Sequence, residues 1–163
     1  MLLRLINKIL DIMLNLPHKI RYMMYSNSVE KFDTYKGFFQ GEWTKVYGEG
    51  VFKVGKGSYC GARCGFSTSQ GYKIEIGMNC SISHNVRIYT NNRVAQDITK
   101  EKDKVAVNYG DVIIGDNVWV GANVIILEGV TVGSNVVIGA NSVVNKSIPN
   151  NVVAVGAPIR IIY

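Results

Sequence analysis

Few side chains in this chain can move a proton or hold a metal near neutral pH. There are two histidines, His18 and His84, and three cysteines, Cys60, Cys64 and Cys80. His84 stands in the stretch "ISHNV". An imidazole there is largely neutral at pH 7 and can take a proton from a hydroxyl. That makes His84 the candidate general base; the plain alternative is a surface histidine bonded to a neighbouring segment. The cysteines have neither zinc-type nor redox spacing, so they read as small apolar core residues. A catalytic zinc site takes three protein ligands. The chain does not supply them, and no metal is expected.

What must position His84 is a repeat. Ile114, Val120, Ile126, Val132, Ile138 and Val144 recur every sixth residue. A helix repeats near 3.6 residues and a strand near 2, so neither accounts for this period. Three residues after each aliphatic comes Asn117, Asn123, Gly129, Asn135 or Asn141. Asparagine and glycine tolerate positive φ and mark corners. A short strand and a corner per hexad, three hexads per turn, give a triangular coil stacked on the coil below. Val118, Val124, Val130 and Val136 form a second inward column. Upstream, Ile76, Ile82 and Ile88 keep the period with Asn79 and Asn85 at corners. Val54, Cys60 and Phe66 keep it with Gly57, Arg63 and Ser69 in the corner column. Cys64 and Cys80 then fall inward. A slip of four residues between Tyr72 and Ile76 marks one irregular turn. The solenoid is expected from about 46 to about 149, within a domain of 46–163.

Two segments fall outside the period. From about 91 to 110 the chain is polar and charged, "NNRVAQDITKEKDKVAVNYG", and the repeat resumes afterwards. That pattern predicts a loop protruding from one corner, functional or merely decorative. At the start, Leu2, Ile6, Ile9, Met13 and Leu16 share one helical face opposite Arg4, Lys8, Asp11 and Asn15. Pro17 ends or kinks that helix. Residues 1–25 therefore read as an amphipathic α-helical segment, too interrupted to span a bilayer. It either packs on the domain or a neighbouring subunit, or lies in a membrane interface with Lys19 and Arg21 near lipid phosphates. A net charge of +6 fits an anionic ligand or surface without identifying either. The charge is dispersed with no aromatic-basic patch, which argues against nucleic acid.

The hexads "IGDNVW", "VGANVI", "VGSNVV" and "IGANSV", with the ending "NKSIPNNVVAVGAPIRII", resemble the hexapeptide-repeat acyltransferases. The likeness is greatest to the galactoside, maltose, xenobiotic and polysaccharide O-acetyltransferases. It covers about 46–162. The resemblance implies an all-β, left-handed parallel β-helix, a homotrimer, and acetyl-CoA as donor along a groove between subunits. Trp119 matches the family tryptophan beside the active site. Ala122 and Ala140 match positions whose backbone meets the pantetheine arm. Lys146 and Arg160 match basic residues near the nucleotide phosphates, where cations are apt.

One departure stands out. The sugar acetyltransferases carry a catalytic histidine in the long loop, where this chain has Asn92 and Arg93. His84 takes the register of the "IAHDC" histidine of other left-handed β-helix acyltransferases and becomes the candidate base by that likeness. Asn92, Arg93 and Asp97 would then bind the acceptor or orient the histidine. The expected activity is acetyl-CoA-dependent O-acetylation of a sugar hydroxyl in a surface polysaccharide or its precursor. The expected location is cytoplasmic, or peripheral at the inner face of the membrane. N-acetylation of an amino sugar or antibiotic, and a non-catalytic β-solenoid scaffold, are the alternatives. The fold also resembles the γ-class carbonic anhydrases, which the missing zinc ligands argue against.

Overall fold

The computed structural model describes residues 5–9, 38–94 and 105–163. The chain divides into two units, Met1–Phe32 and Asp33–Tyr163. In the first, residues 5–9 are helical; the rest of the helix expected over 1–25 lies outside the described residues. No helix among the described residues is long and apolar enough to cross a membrane.

The second unit is a left-handed parallel β-helix. Coil one holds β1 (Phe39–Gln40), β2 (Lys45–Gly48) and β3 (Val51–Val54). Coil two holds β4 (Tyr59–Cys60), β5 (Gly65–Thr68) and β6 (Lys73–Ile76). In coil three, β7 (Ser81–Ile82) and β8 (Arg87–Tyr89) lead to a hairpin, β9 (Asn91–Arg93) and β10 (Val107–Tyr109), before β11 (Val112–Ile114). Coil four is β12 (Trp119–Val120), β13 (Ile125–Ile126) and β14 (Thr131–Val132). Coil five is β15 (Val137–Ile138), β16 (Val143–Val144) and a bridge from Ile148 to Val132. The last coil has β17 (Val153–Val155), and β18 (Arg160–Ile161) turns back antiparallel on it.

Stacked strands make three faces. Face one is β1-β4-β7-β12-β15-β17-β18, face two β2-β5-β8-β13-β16, and face three β3-β6-β11-β14. Every pairing within them is parallel except β17 with β18. The solenoid therefore begins earlier and ends later than the hexads alone suggest. Its first coil lacks repeated aliphatic hexads, and Phe38 and Phe52 fill its interior beside Val46 and Val54.

Both inward columns are buried, including Cys60, Cys64 and Cys80. The corners take the left-handed conformation that their residues favour: Asn117 (φ 55°), Asn123 (φ 58°), Gly129 (φ 74°), Asn135 (φ 56°) and Asn141 (φ 59°). Their side chains also form ladders between coils. Asn85 Nδ2 donates to Asn123 Oδ1 at 2.9 Å, and Asn123 Nδ2 to Asn141 Oδ1 at 3.0 Å. Ser69 is a correction to the corner column: Gly71 (φ 82°) takes the left-handed conformation instead. The turn there is longer than a hexad allows.

Departures from six residues collect at one corner, between faces two and three. From inward residue to inward residue, Val46 to Val54 spans eight positions, Phe66 to Ile76 ten, and Ile88 to Ile114 twenty-six. Above them Ile126 to Val132 is a plain six, and Val144 to Ile148 only four. The longer first coils leave a wider interior, which Phe52 and Phe66 fill, with rings stacked 5.1 Å apart. The expected protruding loop springs from this corner as the β9–β10 hairpin. Val107 pairs with Arg93, Asn108 with Asn92 and Tyr109 with Asn91.

Candidate functional site

Two corners of the coil keep a strict turn, and they treat their backbone donors differently. The residue before each corner asparagine points its N–H along the solenoid toward the next coil. At the corner between faces three and one, the N–H groups from Met78 to Ser134 are each capped by a side chain of that next coil, while the Lys56 N–H below them has no partner among the described residues. Met78 N–H donates to Asp116 Oδ1 (2.7 Å), Asp116 N–H to Ser134 Oγ (3.0 Å), and Ser134 N–H to Asn150 Oδ1 (2.8 Å).

At the corner between faces one and two, one N–H, that of Ala62 before the corner residue Arg63, is capped in the same way. Ala62 N–H donates to His84 Nδ1 at 2.9 Å. There the capping stops, because the next residues in the column are Ala122 and Ala140. Asn123 N–H bonds to His84 C=O (3.0 Å) and Asn141 N–H to Ala122 C=O (2.9 Å), so the three residues stack on successive coils. The N–H groups of His84, Ala122 and Ala140 have no hydrogen-bond partner among the described residues. The result is a column of unpaired donors spaced by the parallel-strand separation, ~4.8 Å. Unpaired backbone donors require water or a ligand oxygen. Without side chains beyond Cβ, Ala122 and Ala140 let a ligand approach the backbone. Gly121 keeps the coils close: a Cβ there would lie 2.5 Å from Ala140 N.

The bond from Ala62 fixes the chemistry of His84. Its Nδ1 lone pair is used, so the neutral ring carries its proton on Nε2. Nε2 is then a donor and cannot take a proton. A base at Nε2 needs the proton on Nδ1, which would face the Ala62 N–H donor to donor. The general-base role expected for His84 would need the other tautomer, with Nε2 free to accept. What the geometry provides is an exposed N–H donor beside the backbone donor column.

The other expected site residues fall into two groups. Trp119 is 55% exposed on the outside of β12, three residues before Ala122, flanked in register by Ser81 and Val137. Arg160 is exposed on β18 opposite Val155, just before the chain reaches the same corner in the last coil. These two flank the column of His84, Ala122 and Ala140. Lys146, Asn92 and Arg93 do not join it. All three are exposed at the corner between faces two and three, across the width of face two. From His84 to Asn91 the chain runs seven residues, a reach of ~20 Å if extended. Asp97 lies outside the described residues.

The cysteines offer no nucleophile on this edge. Burial pushes the Cys80 thiol up. Cys60 is pushed up by its hydrogen bond with Cys64 and by burial. That same bond pulls Cys64 down to about 7, yet Cys64 Sγ lies 3.1 Å from the Ser83 carbonyl oxygen and 2% exposed. Only a protonated S–H bonds favourably to that carbonyl, so Cys64 is a core thiol. Among the described residues no three His, Cys, Asp or Glu are placed to hold a metal ion.

Residues 111–146 match the bacterial transferase hexapeptide (six repeats) family. The chain is 34% identical over 148 residues to a protein of Dictyostelium discoideum named for an inferred acetyltransferase activity, covering 85% of this chain and 76% of that one. The crystal structure of a maltose O-acetyltransferase from Clostridium difficile 630 superposes with a TM-score of 0.67. It is 37% identical, and the match covers 82% of this chain and 70% of that one. A galactoside acetyltransferase in complex with coenzyme A superposes with a TM-score of 0.66 at 32% identity, over 83% of this chain and 66% of that one. The chain belongs to the hexapeptide-repeat transferase family. It spans about half the length of the first curated relatives it matches: 46%, 55% and 48%.

Proposed function

We propose that this chain is an acetyl-CoA-dependent O-acetyltransferase acting on a sugar hydroxyl of a surface polysaccharide or its precursor. The observation that carries the reading is the uncapped donor column at the corner between faces one and two. A pantetheine arm is an extended chain with two amide carbonyls, and backbone N–H groups in a row suit its oxygens. The two alanines leave room for it. Arg160, at the end of the same edge, suits the phosphates of the nucleotide, and the exposed ring of Trp119 offers the arm an apolar wall. The coenzyme A in the solved galactoside enzyme supports the donor, and the galactoside and maltose relatives support a sugar acceptor. The amphipathic pattern of residues 2–16 supports a membrane-assembled precursor.

When bound, acetyl-CoA supplies an activated thioester carbonyl. The chain contributes position and hydrogen bonds. His84 Nε2–H can donate to the oxygen that gains charge as the carbonyl is attacked. In the overall reaction the acceptor oxygen forms the new C–O bond, the C–S bond breaks, and the hydroxyl proton ends on the departing thiolate. No side-chain acyl intermediate is required.

The assembly is part of the same proposal. In one chain, Lys146, Asn92 and Arg93 lie across face two from His84. Three copies arranged about an axis would set one chain's corner between faces two and three beside the next chain's donor column. Each site would then draw on two chains.

Mass spectrometry tests the activity directly. The full chain is mixed with acetyl-CoA and a panel of free sugars, sugar nucleotides and oligosaccharides. A product heavier by one acetyl group supports the reading. Coenzyme A release without a sugar product, or transfer only to amines, contradicts it.

A further inference from the structure

One carboxylate at the corner between faces two and three is left without a partner. Glu128 stands there in coil four, half-buried, between Leu127 and the left-handed Gly129 (φ 74°). Its side chain makes no hydrogen bond or ion pair among the described residues. Its Oε2 is nonetheless shielded from solvent, the one buried side-chain nitrogen or oxygen among the described residues that has no partner. Buried polar atoms are nearly always bonded in folded proteins, so an exception calls for a cause.

The backbone around Glu128 is fixed. Gly110, at the foot of the β9–β10 hairpin, lies directly against it. A Cβ on Gly110 would sit 2.5 Å from Gly129 N and 3.4 Å from the Glu128 carbonyl carbon. Gly110 N–H donates to Thr90 C=O at 3.0 Å, and Leu127 N–H to Val144 C=O at 3.0 Å. Glu128 is thus seated between coils three and five. On coil five, at the same corner, stands Lys146, exposed and with no ion pair to Glu128. Two opposite charges on adjoining coils both stay available.

The level of Glu128 along the solenoid points to what it meets. Coil four is also the coil of Ala122, whose N–H is open. In the threefold arrangement proposed above, this corner of one chain lies beside the donor column of the next, and coils of the same number share a level. A pantetheine arm carries two secondary amides. A trans amide points its C=O and its N–H to opposite sides. An amide whose oxygen meets the donor column therefore turns its N–H to the facing wall, which must accept. An ionised carboxylate only accepts. We infer that Glu128 is a donor-binding residue, accepting the N–H of a pantetheine amide whose oxygen is held by the next chain's Ala122. Lys146, one coil higher, would then stand toward the phosphates, so the charges at this corner follow the order of groups along the donor. The inference rests on the acetyl-CoA reading and on its two-chain site.

The test is calorimetry on the full chain with two probes, coenzyme A and adenosine 3′,5′-bisphosphate. The second keeps the nucleotide end and lacks the pantetheine arm. Glu128→Ala is expected to weaken coenzyme A binding about tenfold, the worth of a hydrogen bond to a charged group, and to leave the bisphosphate unaffected. Glu128→Met keeps the length without the carboxylate and should match it. Glu128→Gln keeps an acceptor oxygen and should retain most of the affinity. The melting temperature of Glu128→Ala should hold or rise, because an unbonded buried oxygen is removed. Coenzyme A binding unchanged in both Glu128→Ala and Glu128→Met would overturn the inference, as would an equal loss for the two probes. An early melt of Glu128→Ala with unchanged coenzyme A binding would assign the carboxylate to a lysine of the 95–104 segment, Lys100, Lys102 or Lys104, and overturn it too. Parent protein that binds coenzyme A while the variants bind it equally well sinks this inference alone. Parent protein that binds no coenzyme A sinks the proposed activity and the inference together.

Discussion

The two regular corners of this solenoid share a backbone and differ in one side-chain column. Between faces three and one, Asp116, Ser134 and Asn150 each close the N–H of the coil before. Between faces one and two, His84 closes one N–H, and then Ala122 and Ala140 leave the column open. The first corner is finished as structure and the second is left able to bind. The difference shows how a repeat protein makes a site without disturbing its fold: it omits a cap. Each omission forgoes a hydrogen bond worth about 1 kcal/mol and presents a backbone donor that no rotamer change can withdraw.

Converting the open corner into a closed one should have the largest effect. Ala122→Asp would give the His84 N–H a carboxylate cap like that of Asp116 and place a negative charge in the path of an anionic donor. Affinity for coenzyme A is expected to fall about 100-fold, the sum of a lost hydrogen bond and like-charge repulsion. The melting temperature should hold or rise. Calorimetry with coenzyme A and a thermal melt read both.

His84 sharpens the comparison next, because it belongs to both patterns. His84→Asn can cap Ala62 as Asn150 caps Ser134, yet it removes the Nε2 donor. If the donor matters, turnover falls about tenfold or more with little change in stability. If capping is its whole role, His84→Asn retains full activity and His84→Ala alone is destabilised.

The corner asparagines predict what the two corners share. Asn123→Ala and Asn117→Ala should each cost about 1–2 kcal/mol, since alanine is strained at positive φ. Glycine at either position should cost less, losing only the side-chain ladder. Denaturant titration of the four variants checks this, and a marked difference between the corners would break the claim that their backbones are alike. The smallest effect is expected from Ser134→Ala. Uncapping Asp116 N–H should cost about 1 kcal/mol of stability and leave acetyl transfer unchanged.

Much of this was legible in the sequence. The aliphatic period of six and the Asn/Gly column state the coil and its corners in residue types alone, and both inward columns are buried as read. The contrast between the corners was legible too, though it lay in an unread column: the residue before each corner. Met78, Asp116, Ser134 and Asn150 stand in one corner's column; Ala62, His84, Ala122 and Ala140 stand in the other's. What the sequence did not carry was the direction of the bond at His84. Register placed the ring at the corner, but only the Ala62 contact decides which nitrogen holds the proton. The stacking of Tyr72 on Tyr109 was also hidden. The two lie thirty-seven positions apart, and they meet because the coil returns one layer higher, which no local pattern encodes. The start of coil one, before Val46, went unread because it carries no hexad, and Phe38 and Phe52 help fill the interior there.

The most direct test of the open corner is amide NMR of the full chain, isotopically labelled, titrated with coenzyme A. The account predicts that the amide signals of His84, Ala122 and Ala140 shift together, toward values typical of stronger hydrogen bonds. Those of Met78, Asp116 and Ser134 should stay in place. Shifts confined to other residues, or saturable binding that leaves the His84, Ala122 and Ala140 amides unmoved, would contradict it.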